Sequence, residues 1–331
     1  MTLSKSLGFS IPAVINVIPE QRNYNNTLAL ISDNERTRLI ETTGINERRI
    51  AALNSIDKYF SYGIDKLLQQ CNWDALSIDI VICVTQTARP TIPSVACVLQ
   101  GKHKFRTDTL CFDINLGCSG YVYGLQTAMA LLNSISNDKA RAIVCCGDLS
   151  SILLAPDDAT TQPIFSDAVS ITAVTKAPSH NTVYFNTSTY GEGRNAIYTE
   201  ISGHKEVMRL NGIDVFNYSV QYVPPHINQL LQYAEMDIPQ VDLFVFHQAN
   251  KLINSTIGKI LNIPTYKTPE TLSLYGNTAS ASIPITLDHN IRNSGNMPNT
   301  MVLCGFGVGF SIASALIKTN EQITTFTYEW Q

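Results

Sequence analysis

Four short runs of the chain are apolar at consecutive positions: Ile80-Val81-Ile82-Cys83-Val84, Leu110-Cys111-Phe112-Asp113-Ile114 with its single Asp, Ala142-Ile143-Val144-Cys145-Cys146, and Leu243-Phe244-Val245-Phe246. Successive side chains of a strand point to opposite faces, so a strand apolar at every position needs cover on both. These runs therefore predict central strands buried between helices. After Cys118, the residues Val122, Leu125, Met129 and Leu132 recur at helical spacing and predict one such covering helix. Strands alternating with helices point to an α/β architecture around a mostly parallel sheet.

The pattern has an echo. Ile78-Asp79-Ile80-Val81-Ile82 opens the first strong strand, and Val241-Asp242-Leu243-Phe244-Val245 opens the last of the four, roughly half the chain later. In each half a later strand ends in Cys-Gly, at Cys146-Gly147 and at Cys304-Gly305. A duplicated unit accounts for both echoes, with residues 1–175 as the first half and 176–331 as the second. No Pro/Gly/Ser-rich linker or block of charge separates them, so the halves are expected to pack as one body.

Composition narrows the function classes. The chain has 331 residues, 44% hydrophobic and 15% charged, enough for a large core. Its 23 basic and 27 acidic residues leave a net charge of -4, the wrong sign for neutralising phosphates, so no nucleic-acid partner is expected. No apolar run reaches membrane-spanning length. The stretch from Leu7 to Ile18 is broken by Pro12 and Asn16 and lacks the frame of a signal peptide. The 8 cysteines include no Cys-x-x-Cys pair, and most lie in apolar runs, so neither a disulfide framework nor a metal site is expected. These features read as a cytoplasmic protein.

Candidate chemistry gathers where buried strands end. In Asp113-Ile114-Asn115-Leu116-Gly117-Cys118-Ser119-Gly120 a strand runs into Cys118 just ahead of a helix, where free N–H groups and the helix dipole are expected to lower a thiol pKa. A buried cysteine at a tight turn is the plainer alternative. His247 ends a second strand in Val245-Phe246-His247-Gln248-Ala249-Asn250; of 6 histidines it is the best placed for catalysis, the others lying in polar or loop-like segments. Asn277, in Tyr275-Gly276-Asn277-Thr278-Ala279-Ser280, is either a helix cap or an amide donor aimed into a cleft. Gly305-Phe306-Gly307-Val308-Gly309-Phe310 reads as a loop able to present backbone N–H groups to an oxyanion.

The order of Cys118, His247-Gln248-Ala249-Asn250, Gly276-Asn277-Thr278 and the Gly305–Phe310 run resembles the β-ketoacyl-acyl-carrier-protein synthase III family. Thr43-Gly44-Ile45-Asn46-Glu47-Arg48, Ile92-Pro93-Ser94-Val95-Ala96 and Asn211-Gly212-Ile213-Asp214-Val215-Phe216 match in kind and order, so the resemblance spans nearly the whole chain. It implies the thiolase fold, two similar α/β halves packed as a five-layered αβαβα body, and a homodimer. It also implies decarboxylative Claisen condensation of an acyl thioester with a malonyl-type thioester, without cofactor. By the same resemblance Cys118 is the acylated nucleophile and His247 and Asn277 hold the second thioester's carbonyl. The N–H groups of Cys118 and Val308 form the oxyanion hole of the acyl-enzyme, and Ile92 and Phe306 border the acyl pocket, Ile92 at a position where the residue comes from the partner subunit. Arg209, Lys251 and Lys259 are candidates for the surface that meets an acyl carrier protein, with a solvated face as the alternative.

The departures bear on substrate. The family's adenine clamp for coenzyme A is an aromatic and two arginines, and the matching positions here hold Arg38, Thr42 and Ala159. That favours a carrier-protein donor over acyl-CoA. Val308 replaces a usual Gly, and Ile92 a usual Phe, which leaves room for a longer acyl chain. The competing readings are transfer of the acyl group to an alcohol or amine and a non-catalytic partner subunit. A thiolase is disfavoured because Cys304 is out of register for a second catalytic cysteine.

Overall fold

The computed structural model describes residues 2–177 and 181–331. The first half runs through β1 (Thr2–Leu7), β2 (Phe9–Ser10), β3 (Ala13–Pro19), β4 (Arg22–Tyr24), α1 (Asp33–Thr43), β5 (Glu47–Arg49), α2 (Ile56–Cys71), β6 (Ile80–Val84), α3 (Val95–His103), β7 (Leu110–Ile114), α4 (Gly120–Ser134), β8 (Arg141–Asp148) and β9 (Ala168–Lys176). The second continues through β10 (Thr182–Thr189), β11 (Ile197–Ser202), β12 (Lys205–Leu210), α5 (Gly212–Tyr233), β13 (Leu243–Phe246), α6 (Lys251–Ile260), α7 (Leu272–Tyr275), α8 (Ser282–Ser294), β14 (Thr300–Gly307), β15 (Ser311–Lys318) and β16 (Thr324–Trp330).

Two large sheets carry the body. One has the order β16-β3-β9-β8-β6-β7 with β2 on β9, and the other β1-β10-β15-β14-β13. Between them lie α4 and α8: Val122, Leu125, Met129 and Leu132 of α4, buried as their spacing predicts, pack with Ile82 of one sheet and Leu303 of the other. The outer face of the first sheet is covered by α2 and α3 through Tyr59, Phe60, Ile64 and Leu99, and that of the second by α5 and α6 through Ile227, Leu230 and Ile257. Each fully buried side chain of this kind stabilises the body by about 1.5–3 kcal/mol. The result is five layers, helix-sheet-helix-sheet-helix, as the resemblance implies.

The internal echo is structural. Asp79 N–H donates to the Arg141 carbonyl at 2.9 Å and its Oδ2 accepts the Arg141 N–H at 2.9 Å, tying the start of β6 to the start of β8. Asp242 does the same for β13 and β14, donating to the Thr300 carbonyl at 2.9 Å and accepting the Thr300 N–H at 2.9 Å. In both pairs the strands run parallel, and Val84 faces Cys146 as Phe246 faces Cys304. The division expected near residue 175 falls at the end of β9, but the termini cross it. The first strand, β1, is the edge of the second sheet, and the last, β16, pairs with β3 in the first.

Three expectations change. Among the described residues the second sheet is mostly antiparallel, with β13–β14 its one parallel pair. Continuous apolarity reports burial on two faces and not strand direction. The Gly305–Phe310 run is a loop only at Val308, Gly309 and Phe310; Gly305, Phe306 and Gly307 belong to β14, which turns tightly into β15. β7 is a sheet edge and only half-buried, with Leu110 at 46% exposure, because no strand among the described residues pairs with its outer side. No helix among the described residues is long and apolar enough to cross a membrane.

Candidate active site

Cys118 lies between β7 and α4 and is 4% exposed. The Gly117 carbonyl accepts the Gly120 N–H at 2.8 Å, closing the turn that lifts the cysteine to the top of the sheet. The tip of the β14–β15 hairpin packs against this turn. A Cβ on Gly305 would fall 2.5 Å from the Cys118 carbonyl oxygen, and one on Gly307 3.0 Å from Sγ, so only glycine lets the strand come this close. Ser119 and Ser311 join the two segments through their hydroxyls at 2.7 Å.

The thiol is not acid-shifted as the sequence suggested. Burial pushes its pKa up to about 12, the Asp148 carboxyl adds to this, and backbone N–H groups of Cys118 and Val308 pull the other way. Cys118 stands two positions ahead of α4, and loss of water outweighs the helix terminus there. The two opposing N–H groups are the pair expected to form the oxyanion hole, and they converge on the sulfur.

His247 follows β13 and is fully enclosed, its N–H donating to the Cys304 carbonyl at 2.8 Å. Burial pulls its pKa down to about 3, against a smaller effect of the Ala279 backbone, so the imidazole is neutral. Nδ1 lies 2.8 Å from Ser282 Oγ, which also accepts the Gln248 N–H at 3.2 Å. The Ser282 hydroxyl thus anchors the Nδ1 edge of the ring. Phe306 stacks edge-on to His247 at 5.6 Å. Asn277 is held by its backbone, its N–H donating to the Ile164 carbonyl at 3.0 Å and its carbonyl accepting from Ser166 at 2.9 Å. Its Oδ1 accepts the Ala279 N–H at 3.0 Å, which leaves Nδ2 as a donor. Asn277 therefore caps the turn that begins at Ala279 through Oδ1 and also lines the narrow cavity.

Two cavities meet at Cys118. A narrow one of about 60 Å³ is lined by Cys118, His247, Asn277 and Phe306 and continues past Asn250 and Gly212. A wider one of about 430 Å³ lies beyond the thiol, roofed by the β11–β12 hairpin through Tyr198 and Met208, with Val308 also on its wall. Arg89 ties the loop after β6 to Glu206 of that hairpin.

Other expected positions fall elsewhere. Ile92 is 83% exposed and lines neither cavity of its own chain. Lys251 and Lys259 line one surface groove of about 730 Å³. Arg209 is not part of it and pairs with Glu200 at 2.8 Å on the hairpin. Cys304 is buried within β14 and lines neither cavity. His226 was expected in a polar or loop-like segment, but it is buried in α5 beside Ser188 and Asn186, and burial pulls its pKa down to about 4. The sequence reading missed Asp148, Gln86 and the hairpin roof. The only signal was that Asp148 ends a parallel strand, at the sheet edge where such folds collect reactive groups.

The five layers and the cysteine set at the junction of two cavities define a thiolase-fold enzyme. The chain belongs to the 3-oxoacyl-[acyl-carrier-protein] synthase III family: models of that synthase and of its C-terminal part match residues 112–192 and 231–319, which contain Cys118, His247 and Asn277. A β-ketoacyl-[acyl-carrier-protein] synthase III of Shewanella oneidensis is 31% identical over 314 residues, covering 91% of this chain and 96% of the relative. The namesake from Acholeplasma laidlawii is 29% identical, covering 95% and 99%. The crystal structure of a 3-oxoacyl-(acyl-carrier protein) synthase from Burkholderia xenovorans superposes with a TM-score of 0.92 at 28% identity, covering 99% of each chain.

Proposed function

We propose that the chain condenses an acyl thioester with a malonyl-type carrier-protein thioester through an acyl group carried on Cys118. The observation that carries this reading is the position of Sγ, between a wide cavity and a narrow one with two hydrogen-bond donors. In the first step Sγ attacks the acyl thioester; the carbon–sulfur bond to the donor breaks, and the leaving thiolate takes the cysteine's proton. The oxyanion formed on the way is met by the N–H groups of Cys118 and Val308, whose direction toward Sγ supports this role. The acyl chain then occupies the wide cavity.

In the second step a malonyl thioester enters the narrow cavity, its carbonyl accepting from His247 Nε2 and Asn277 Nδ2. Loss of carbon dioxide leaves an enolate that the same donors stabilise. The enolate carbon attacks the acyl-Cys118 carbonyl, and the cysteine leaves as a thiolate and recovers a proton. A neutral, buried imidazole suits this task, since it donates without adding a charge that would hold the carboxylate.

The relatives' names specify an acyl carrier protein, and the groove bearing Lys251 and Lys259 supports its docking here. Arg209, held by Glu200, is the weaker candidate. A homodimer is supported by the unpaired, half-exposed edge strand β7 and by the open position of Ile92. The test is intact-mass detection of an acyl group on Cys118, followed by release of carbon dioxide from malonyl carrier protein that depends on that acylation. Decarboxylation without a condensed product, or acyl transfer to an alcohol instead, would refute the reading.

A further inference from the structure

The N–H groups of Cys118 and Val308 belong to segments far apart in the chain, the turn after β7 and the tip of the β14–β15 hairpin. Two such donors serve an oxyanion only if their spacing is fixed before the charge develops. Gly305 and Gly307 bring the hairpin close to Cys118, but a glycine face leaves the twist of the tip unset. Hydrogen bonds set it. Gly307 faces Ser311 across the hairpin. Phe310 is held from outside, its N–H donating to the Tyr190 carbonyl at 3.0 Å and its carbonyl accepting the Tyr190 N–H at 2.8 Å. Val308, on the wall of the wide cavity, is held from inside by a serine.

The Val308 carbonyl accepts from Ser311 Oγ at 2.8 Å. A carbonyl oxygen only accepts, so the single hydroxyl proton of Ser311 is spent there. The 2.7 Å contact between the hydroxyls of Ser119 and Ser311 then has one direction, Ser119 donating and Ser311 accepting. Ser119 is 1% exposed and Ser311 4%, so little water competes for either bond. Two consecutive hydrogen bonds thus run from the residue after the nucleophile to the residue that carries the second oxyanion donor.

We infer that Ser311, itself oriented by Ser119, is a positioning residue that holds the Val308 N–H at a fixed distance from the Cys118 N–H. The inference rests on Cys118 being the acylated residue. The experiment uses the whole chain and measures Cys118 acylation by intact mass with one acyl thioester at several concentrations. Ser311→Ala should lower kcat for acylation about tenfold with KM within about twofold, since a donor moved off its line loses part of what removing it would cost. Alkylation of Cys118 by iodoacetamide forms a carbon–sulfur bond as iodide leaves and passes through no oxyanion. It should change less than about threefold in the same variant. Ser119→Ala should slow acylation about threefold. The double variant should match Ser311→Ala alone, because Ser119 acts only through Ser311. Unchanged acylation in Ser311→Ala, an equal fall in alkylation, or additive losses in the double variant overturns the inference and leaves acyl-Cys118 standing. Failure of the unaltered chain to load Cys118 removes both.

Discussion

Ser282 Oγ lies 2.8 Å from Nδ1 of His247, so a residue that lines neither cavity anchors the imidazole that lines one of them. Replacing Ser282 by alanine removes that anchor and frees the ring to turn. Ser282→Ala should slow condensation about tenfold, near 1.4 kcal/mol, while Cys118 acylation stays within about twofold of the original. Product formation from malonyl carrier protein, measured beside acyl loading, checks it.

The two steps should separate by mutation. Cys118→Ala should abolish loading of the acyl group. His247→Ala and Asn277→Ala should still be loaded but condense roughly a hundredfold more slowly, the usual loss on removing a preorganised donor. Normal turnover of malonyl thioester by both variants would end the Claisen assignment.

The thiol's pH dependence follows from its burial. Below a pKa of about 12 the neutral thiol dominates, so the thiolate fraction rises with pH. Alkylation of Cys118 by iodoacetamide should accelerate about tenfold per pH unit between pH 7 and 10. Exposed Cys97 should be labelled ahead of Cys118 at pH 7. Peptide mass spectrometry resolves the two; Cys118 labelled first, at a rate flat above pH 7, would show a thiolate stabilised beyond what this geometry provides.

Close packing under the nucleophile gives a stability prediction. A methyl group at Gly305 would meet the Cys118 carbonyl at 2.5 Å and Ser119 Cα at 2.7 Å, backbone atoms with nowhere to retreat. Gly305→Ala should destabilise the protein by roughly 1–3 kcal/mol, the usual cost of overpacking a core. Chemical denaturation reads this directly, and loss of acylation should accompany it.

The donor's handle is testable as well. Arg38 and Thr42 lie exposed on α1 and offer no aromatic face to an adenine. Base stacking on such a face is worth about 1–3 kcal/mol where it exists. Carrier-protein thioesters should therefore outcompete matching CoA thioesters by at least about tenfold in kcat/KM for Cys118 acylation. Equal rates would place CoA on another surface.

The layered body was legible because two-faced burial forces consecutive apolar residues, and the capping Asp79 and Asp242 repeat their hydrogen bonds as well as their sequence. That Cys118, His247 and Asn277 share one cavity follows motifs visible in the sequence, Cys118 and His247 after buried strands and Asn277 ahead of a run of small residues. Strand direction in the second sheet was not, since β14 and β15 are as apolar as parallel strands. The raised thiol pKa was hidden for a related reason: local sequence shows a helix start but not how far water is excluded from it. Asp148 and Gln86 escaped because single polar residues at strand ends carry no spacing pattern, and only the fold brings them to the wall of one cavity.

The crossing of the chain's ends sets a limit on how the molecule is made. Because β16 closes the sheet built by the N-terminal half, that half lacks an edge strand until residues 324–330 have left the ribosome. Because β1 belongs to the opposite sheet, a fragment starting after the midpoint lacks its edge too. Neither half is complete without a strand from the other, so neither sheet can close before both halves have been synthesised.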